Sequence, residues 1–310
     1  MADSEMILIL GVTASGKSQA AFEIAKACDG QILSVDSMKV YRRMDIGTSK
    51  PPEEWREKVE YHLIDIVEPS ESFSVARFVE LANEAIERIK SQGKRVIAVG
   101  GTAMYVKALL YGLFKGPGTD AAIREKLEQR IEQEGSASLH GELMAIDPEA
   151  AGRIHPNDRK RIIRAMEIYE LTGGGISSLQ GQFNASKPLG NWRIIGLRRD
   201  KADASRRINW RVKRMIDMGL VDEVRSLLGE SKALSQQAAC AIGYAEIIRH
   251  VAGQISLDDA AEQIKKNTRR MAKGQRTWFK TFKGVEWIDI GAEESSEEIV
   301  ERVMNVVQGK

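Results

Sequence analysis

Strand-like runs alternate with helical periodicity over the first 110 residues. Met6–Leu10, Gln31–Val35 and Arg95–Val99 have strand length and composition. After the first run, Ala20, Phe22, Ile24 and Ala25 follow a helical pattern. Before the third, Val75, Phe78, Leu81, Ile86 and Ile89 recur at helical spacing, and that pattern stops at Gly93. Strands separated by helices predict a parallel sheet. Each run ends in a distinct motif: GVTASGKS, then Asp36-Ser37, then Gly100-Gly101-Thr102. Ligands of such sheets bind outside the carboxyl ends of the strands, so the three motifs are expected to meet at one crevice.

The pattern breaks at Lys115–Asp120, KGPGTD, and turns helical. Helices are predicted over Ala121–Gln133, Ser138–Met144 and Arg159–Leu171, the last closing at Gly173. TGGGISS and NASKPLGN read as loops. A strand is predicted at Arg193–Leu197, then helices over Ser205–Met218 and Asp258–Phe282 and a last strand at Glu286–Ile290. The expected fold class is α/β, a P-loop core whose parallel sheet is flanked by helices. The core would comprise 1–118 and 191–310, with 119–190 as a helical insertion.

Composition is that of a soluble globular chain: 310 residues, 43% apolar and 29% charged. Two cysteines, Cys28 and Cys240, allow neither a disulfide framework nor a zinc spacing, which predicts a cytoplasmic protein. Met6–Val12 is too short to span a membrane and lacks the basic flank of a signal peptide. Four histidines at unrelated spacings exclude a dedicated metal cage, so any Mg²⁺ is expected to arrive with phosphates. The charge is uneven. Ala151–Lys283 carries 26 Lys and Arg against 13 Asp and Glu, whereas the rest carries 20 against 31. Such a surplus points to a polyanionic partner, with solvated helix faces as the alternative.

GVTASGKS, Gly11–Ser18, is the strongest motif. Its glycines let backbone N–H groups curl around an anion, Lys17 adds a point charge, and the Ser18 hydroxyl suits Mg²⁺. The pattern reads a diphosphate and is silent on the rest of the ligand. Asp36 ends its strand beside this loop, where a carboxylate can ligate Mg²⁺, act as a general base, or cap the next helix. Thr102 offers a hydroxyl to a ligand and can also be an N-cap. Arg207, Arg211 and Arg214 share one helix face, which can close over a diphosphate or simply face solvent. Lys160, Arg161 and Arg164 share a face opposite Ile162, Met166 and Ile168. Lys266, Arg269, Lys273, Arg276 and Lys280 form a stripe suited to a phosphate backbone, beside an apolar stripe of Ile264, Met271, Trp278 and Phe282.

Seven segments, in order, resemble the tRNA dimethylallyltransferases, also called tRNA isopentenyltransferases. They are GVTASGKS, DSMKVYRRMDIGTSKP, VGGTAMYVKALLYGL, HPNDRKRIIRAMEIYELTG, RRINWRVKRMIDMGLVDEV, AIGYAEI and AKGQRTWFK. The resemblance implies transfer of a dimethylallyl group from dimethylallyl diphosphate to N6 of the adenosine 3′ of the tRNA anticodon. It implies Asp36 as base, Thr102 as a positioning group, and Arg211 as a clamp on the leaving diphosphate. Gly11, Thr13, Ala14, Ser15, Gly16, Lys17 and Ser18 would cradle that diphosphate, with Mg²⁺ on Ser18. By the same resemblance Asp36, Ser37, Met38, Lys39, Thr102, Arg124, Lys160, Arg161, Ile162, Ile163 and Arg164 match segments that contact tRNA. So do Cys240, Ala241, Ile242, Gly243, Tyr244 and Ala245. The insertion would grip the anticodon stem, with no membrane involved and a monomer as the expected state. The chain departs from the family pattern at Val12 (usually Pro), Arg43 (usually Gly), Ala245 (commonly basic) and Gly274 (usually Arg). From the residues alone, a small-molecule kinase and an RNA-stimulated NTPase remain alternatives.

Overall fold

The computed structural model describes residues 5–113, 116–179 and 188–309. Six strands form one parallel sheet: β1 Met6–Gly11, β2 Gly30–Val35, β3 Tyr61–His62, β4 Arg95–Gly100, β5 Trp192–Arg199 and β6 Val285–Ile290. Their spatial order is β3-β2-β4-β1-β5-β6. β1, β2 and β4 are buried over nearly their whole length, as a sheet covered on both faces requires. On one face Ile7, Ile9, Ile97, Ile195 and Ile288 pack with Phe22 and Ile24 of helix Lys17–Ala27 and Ile299 and Val303 of helix Ser296–Gln308. Trp55 stacks on Phe22 at a centroid distance of 4.5 Å.

The register brings the three motifs level. Leu10 of β1 and Val35 of β2 both pair with Gly100 of β4. Glycine is required there, because a Cβ at residue 100 would lie 2.0 Å from the Val35 carbonyl oxygen. The expected strands are all present, and β3 is an addition, too short to register as an apolar run.

The chain separates into two compact units, 1–110 with 187–310, and 111–186. The second unit begins at residue 111 rather than the expected 119, and the core resumes at 187 rather than 191. The second unit is helical. Ala121–Glu134, Ser136–Ile146, Pro148–Arg153, Arg159–Thr172 and Ile176–Leu179 surround a core of Leu127, Ile131, Leu139, Leu143, Ile162 and Met166. Helix Arg159–Thr172 starts on the Asp158 side chain, which accepts the Arg161 N–H, and stops at the left-handed Gly173. TGGGISS is a loop only up to Gly175, since Ile176 opens a helical turn. The loop expected at NASKPLGN lies mostly outside the described residues.

Two long helices flank the site. Lys201–Asp217 starts four residues before the expected Ser205, because Asp200 caps it through the N–H groups of Ala202 and Asp203. Leu257–Phe279 ends three residues short of Phe282. Its buried face is Ala260, Ile264, Thr268, Ala272 and Phe279. Of the apolar stripe assigned from the sequence, Ile264 and Phe282 are buried, whereas Met271 is exposed and Trp278 half-buried. Gly274 faces open space on the same helix, so its cost of about 1 kcal/mol relative to Ala has no steric compensation.

Candidate active site

The GVTASGKS loop follows directly from β1. Ala14 and Gly16 take left-handed backbone conformations, φ 64° and 97°, which let the chain double back before helix Lys17–Ala27. The Ser15 N–H donates to the Val12 carbonyl at 3.2 Å. The Lys17 ammonium donates to the same carbonyl at 3.3 Å. A Cβ at Gly11 would lie 2.4 Å from Ser15 Oγ, so any side chain there would displace that hydroxyl. That hydroxyl is buried and has no hydrogen-bond partner among the described residues.

Helix Lys201–Asp217 lies across the loop. Arg207 Nε donates to the Ala14 carbonyl at 3.2 Å, and Arg211 donates to Thr13 Oγ1 at 3.2 Å. The third arginine of the expected row, Arg214, does not join them. Its guanidinium stacks on exposed Trp210 at 5.3 Å. Arg199, at the end of β5, takes up the third position instead. It donates to the Ser15 carbonyl at 3.1 Å and to Gly291 at 3.0 Å, and pairs with Asp203 at 2.9 Å. A cavity of about 440 Å³ opens beside Ala14, lined by Arg206, Arg207, Trp210 and Arg211 together with Glu293.

Asp36 sits at the end of β2. It does not cap a helix: the next one, Glu53–Lys58, starts far down the chain. Its Oδ1 accepts the N–H groups of Met38 at 2.9 Å and Lys39 at 3.3 Å, an Asx turn. Its Oδ2 has no hydrogen-bond partner among the described residues. Thr102 likewise reaches across rather than capping its own helix: Oγ1 accepts the Ser37 N–H at 3.1 Å. The end of β2 and the GGT motif are thereby fastened together.

The electrostatics are one-sided. Burial, then the neighbouring charges of Arg211 and Lys39, push the Lys17 ammonium down to about 7, against the pull of Asp36. Burial also lowers Lys39, opposed by Asp36 and reinforced by Arg211 and Lys50. Burial lowers Arg211, and Arg207 adds to it. Lys17, Lys39 and Arg211 thus depress one another, with Asp36 the carboxylate that opposes the two lysines, an arrangement that a multivalent anion relieves.

Sequence reasoning missed two residues here. Gln275 links the motifs: its Oε1 accepts the Thr13 N–H at 2.9 Å and its Nε2 donates to the Gly101 carbonyl at 2.8 Å. A polar residue on the buried side of an amphipathic helix was the available signal. Glu223 holds the segment after Asp36 by accepting the N–H groups of Asp45 at 3.0 Å, Ile46 at 2.7 Å and Gly47 at 3.2 Å. Tyr244 donates to the same carboxylate at 2.6 Å. Burial raises the Tyr244 phenol well above its ordinary value, and Glu223 raises it further. At left-handed Arg43, φ 60°, the side chain pairs with Glu230 and Glu68, which offsets a conformation that favours glycine.

Of the tRNA-segment residues, Ser37, Met38 and Lys39 lie beside Asp36, partly exposed. Cys240 is exposed, and Ile242 and Ala245 are half-buried. Ala241, Gly243 and Tyr244 are buried, and the Tyr244 hydroxyl is committed to Glu223. In the helical unit Lys160 and Arg161 are exposed, but Ile162 and Ile163 are core residues, 0% and 6% exposed, because their helix turns them inward. Their side chains are therefore not ligand contacts. Arg124 and Arg164 grip buried Glu167 at 2.9 and 2.6 Å. Burial works against the Glu167 charge, yet the hydrogen bonds from Arg124 and Arg164 hold its carboxyl below the ordinary range. Among the described residues no cluster of three or more His, Cys, Asp or Glu forms a metal site, and no helix is long and apolar enough to cross a membrane.

A family profile described as IPP transferase matches residues 39–282. The tRNA dimethylallyltransferase of Geobacter sulfurreducens is 44% identical over 289 residues, covering 93% of both chains. That of Acetivibrio thermocellus is 44% identical over 299 residues, covering 96% of both. Among solved structures, the tRNA isopentenylpyrophosphate transferase of Bacillus halodurans superposes with a TM-score of 0.72 at 37% identity, covering 98% of this chain and 96% of that one. A eukaryotic dimethylallyltransferase acting on tRNA gives 0.79 at 27% identity, covering 99% of this chain and 80% of that one. A parallel sheet that ends in the cation-lined GVTASGKS loop, with Asp36 and Thr102 at the ends of neighbouring strands, thus stands within a match across almost the whole chain, and the chain belongs to the IPP transferase family.

Proposed function

We propose that the protein transfers a dimethylallyl group from dimethylallyl diphosphate to N6 of the adenosine 3′-adjacent to the anticodon of tRNA, releasing diphosphate. One observation carries this reading. Lys17 of the loop, Lys39 and Arg211 repel one another, and Asp36 is the carboxylate that acts on both lysines. The helix crossing this loop also belongs to the strongly basic stretch of the chain. Relatives named tRNA dimethylallyltransferase support the choice of donor and acceptor.

The residues suit the chemistry. The allylic C1–O bond breaks with carbocation character, and its electron pair leaves on the diphosphate. Neutralising that group is the main demand on the protein. Loop N–H groups, Lys17, Arg207 and Arg211 supply it. The N6 nitrogen forms the new bond to C1 and loses a proton, for which the Asp36 Oδ2 is the acceptor. Thr102, fixed against Ser37, positions the amine. Ser18, in the first turn of its helix, is the protein ligand suited to Mg²⁺, with the remaining oxygens coming from the diphosphate. Mg²⁺ would add charge neutralisation to the leaving group. The adenosine must leave its stack, which costs a few kcal/mol and favours a flexible loop.

Purified protein with labelled dimethylallyl diphosphate and total tRNA tests the reading. Label should appear in tRNA, with diphosphate released. Phosphoryl transfer from ATP to an acceptor, or RNA-stimulated ATP hydrolysis, with no label in tRNA, would replace it by a kinase or an NTPase.

The basic stripe of helix Leu257–Phe279 is the proposed backbone contact. Neutralising Lys266, Arg269 and Lys273 together is expected to shallow the salt dependence of tRNA binding by about 2–3 in log–log slope, at about 0.7–0.9 per phosphate contact. Titrations at several salt concentrations read this directly. An unchanged slope would make the stripe a solvated face.

A further inference from the structure

Gln275 lies 262 residues along the chain from Thr13, yet one amide group spans the two halves of the site. Its oxygen takes the Thr13 N–H of the phosphate loop. Its nitrogen gives a proton to the carbonyl of Gly101, the residue before Thr102. The fit is close on both sides. A Cβ at residue 101 would lie 2.6 Å from Gln275 Nε2, while its next contacts are at 3.6 Å or beyond. Gly101 is not in a left-handed conformation, so this amide is what keeps residue 101 a glycine.

We propose that Gln275 is a positioning residue that sets the distance between the diphosphate cradle and the acceptor side of the site, a role that rests on the transferase reading above. The chemistry gives this distance its weight. C1 of the donor must meet the acceptor nitrogen while the diphosphate is held by the loop and the amine by Asp36 and Thr102. A misplacement of about 1 Å between such groups costs on the order of 100-fold in rate. Only a side chain with a donor and an acceptor at one end can hold an N–H on one motif and a carbonyl on the other. The helix that carries Gln275 also carries Lys273 and Arg276, one residue or two away, so contact with a polyanion bears on the same strut.

The test uses the full chain in single-turnover transfer with tRNA and dimethylallyl diphosphate both saturating. Gln275→Leu is expected to lower the transfer rate about 10–100-fold, with the Kd of each substrate within about threefold of wild type. Gln275→Glu gives a sharper readout. Its carboxylic acid has the shape of the amide, but only the protonated form donates to Gly101. Its rate relative to wild type should therefore recover as pH falls. Gly101→Ala should mimic Gln275→Leu from the other side. Added to Gln275→Ala, which removes the clashing amide, it should cost much less than it does alone. If Gln275→Leu fails to fold, Gly101→Ala and the double variant carry the same test. Transfer within about threefold of wild type for Gln275→Leu, a flat pH ratio for Gln275→Glu, or additive losses would each overturn the proposal. Absence of prenyl transfer by the wild-type protein would instead overturn the transferase reading.

Discussion

Replacing Asp36 by Asn is expected to lower single-turnover prenyl transfer at least about 100-fold while leaving the melting temperature nearly unchanged. The residue has two separable duties. Its Oδ1 closes a turn by accepting two N–H groups, from Met38 and Lys39. Asn retains that oxygen, so the turn survives and little stability is lost. The second duty is to take a proton from the acceptor amine. Asn cannot do this, and losing a general base costs about 10²–10⁴-fold in rate, about 3–5 kcal/mol of barrier. Loss of the carboxylate that opposes both Lys17 and Lys39 also leaves the site more positive, so donor binding should hold or tighten. Rates at saturating tRNA, donor Kd and a thermal melt give three independent readings. Near-normal transfer would reduce Asp36 to a turn residue and require another base.

Much of this site was legible because its motifs are local. The phosphate loop, Asp36 and Thr102 each follow a strand-like run, and a parallel sheet aligns the ends of such runs. The register at Gly100, shared by Leu10 and Val35, is the physical form of that expectation. What remained hidden depends on contacts between distant segments. Nothing in GLVDEV announces that Glu223 gathers three N–H groups from residues 45–47. Nothing in AKGQRTWFK sets Gln275 apart except that a polar side chain falls on a buried face. The apolar face of this helix was legible only in part, for a related reason. Met271 and Trp278 continue the seven-residue spacing of Ile264, yet the buried face is Ala260, Ile264, Thr268, Ala272 and Phe279. Arg214 looked equivalent to Arg207 and Arg211, but the spacing could not foretell that Trp210 would hold it outside the loop. Ile162 and Ile163 entered the tRNA set as members of a segment, whereas the helix turns their side chains into the core.

Lys17→Met is expected to weaken binding of the donor diphosphate by about 100-fold and, at the same time, to make the unliganded protein more stable at neutral pH. The two effects share one cause. Burial and the charges of Arg211 and Lys39 depress the ammonium to about 7, whereas an unfolded lysine titrates near ~10.4. Between those values the unfolded chain binds more protons than the folded one, so wild-type stability rises with pH from about 7 to about 10. Below about 7 both states are protonated and the full cost of the buried charge is present. Met keeps the aliphatic stem, loses only the bond to the Val12 carbonyl, and removes the charge. The net gain should be about 1–2 kcal/mol below pH 7, reduced from the full burial cost because the ammonium keeps partial access to water, and it should fade towards pH 10. Added diphosphate should reverse the order, since it stabilises only the form that binds it. Urea unfolding of both proteins at pH 6 and pH 10, with and without diphosphate, measures every step. A Met variant less stable than wild type at pH 6, or a stability difference that ignores pH, would show that Lys17 is not held in the folded site as a destabilised cation and that its phosphate role needs another basis.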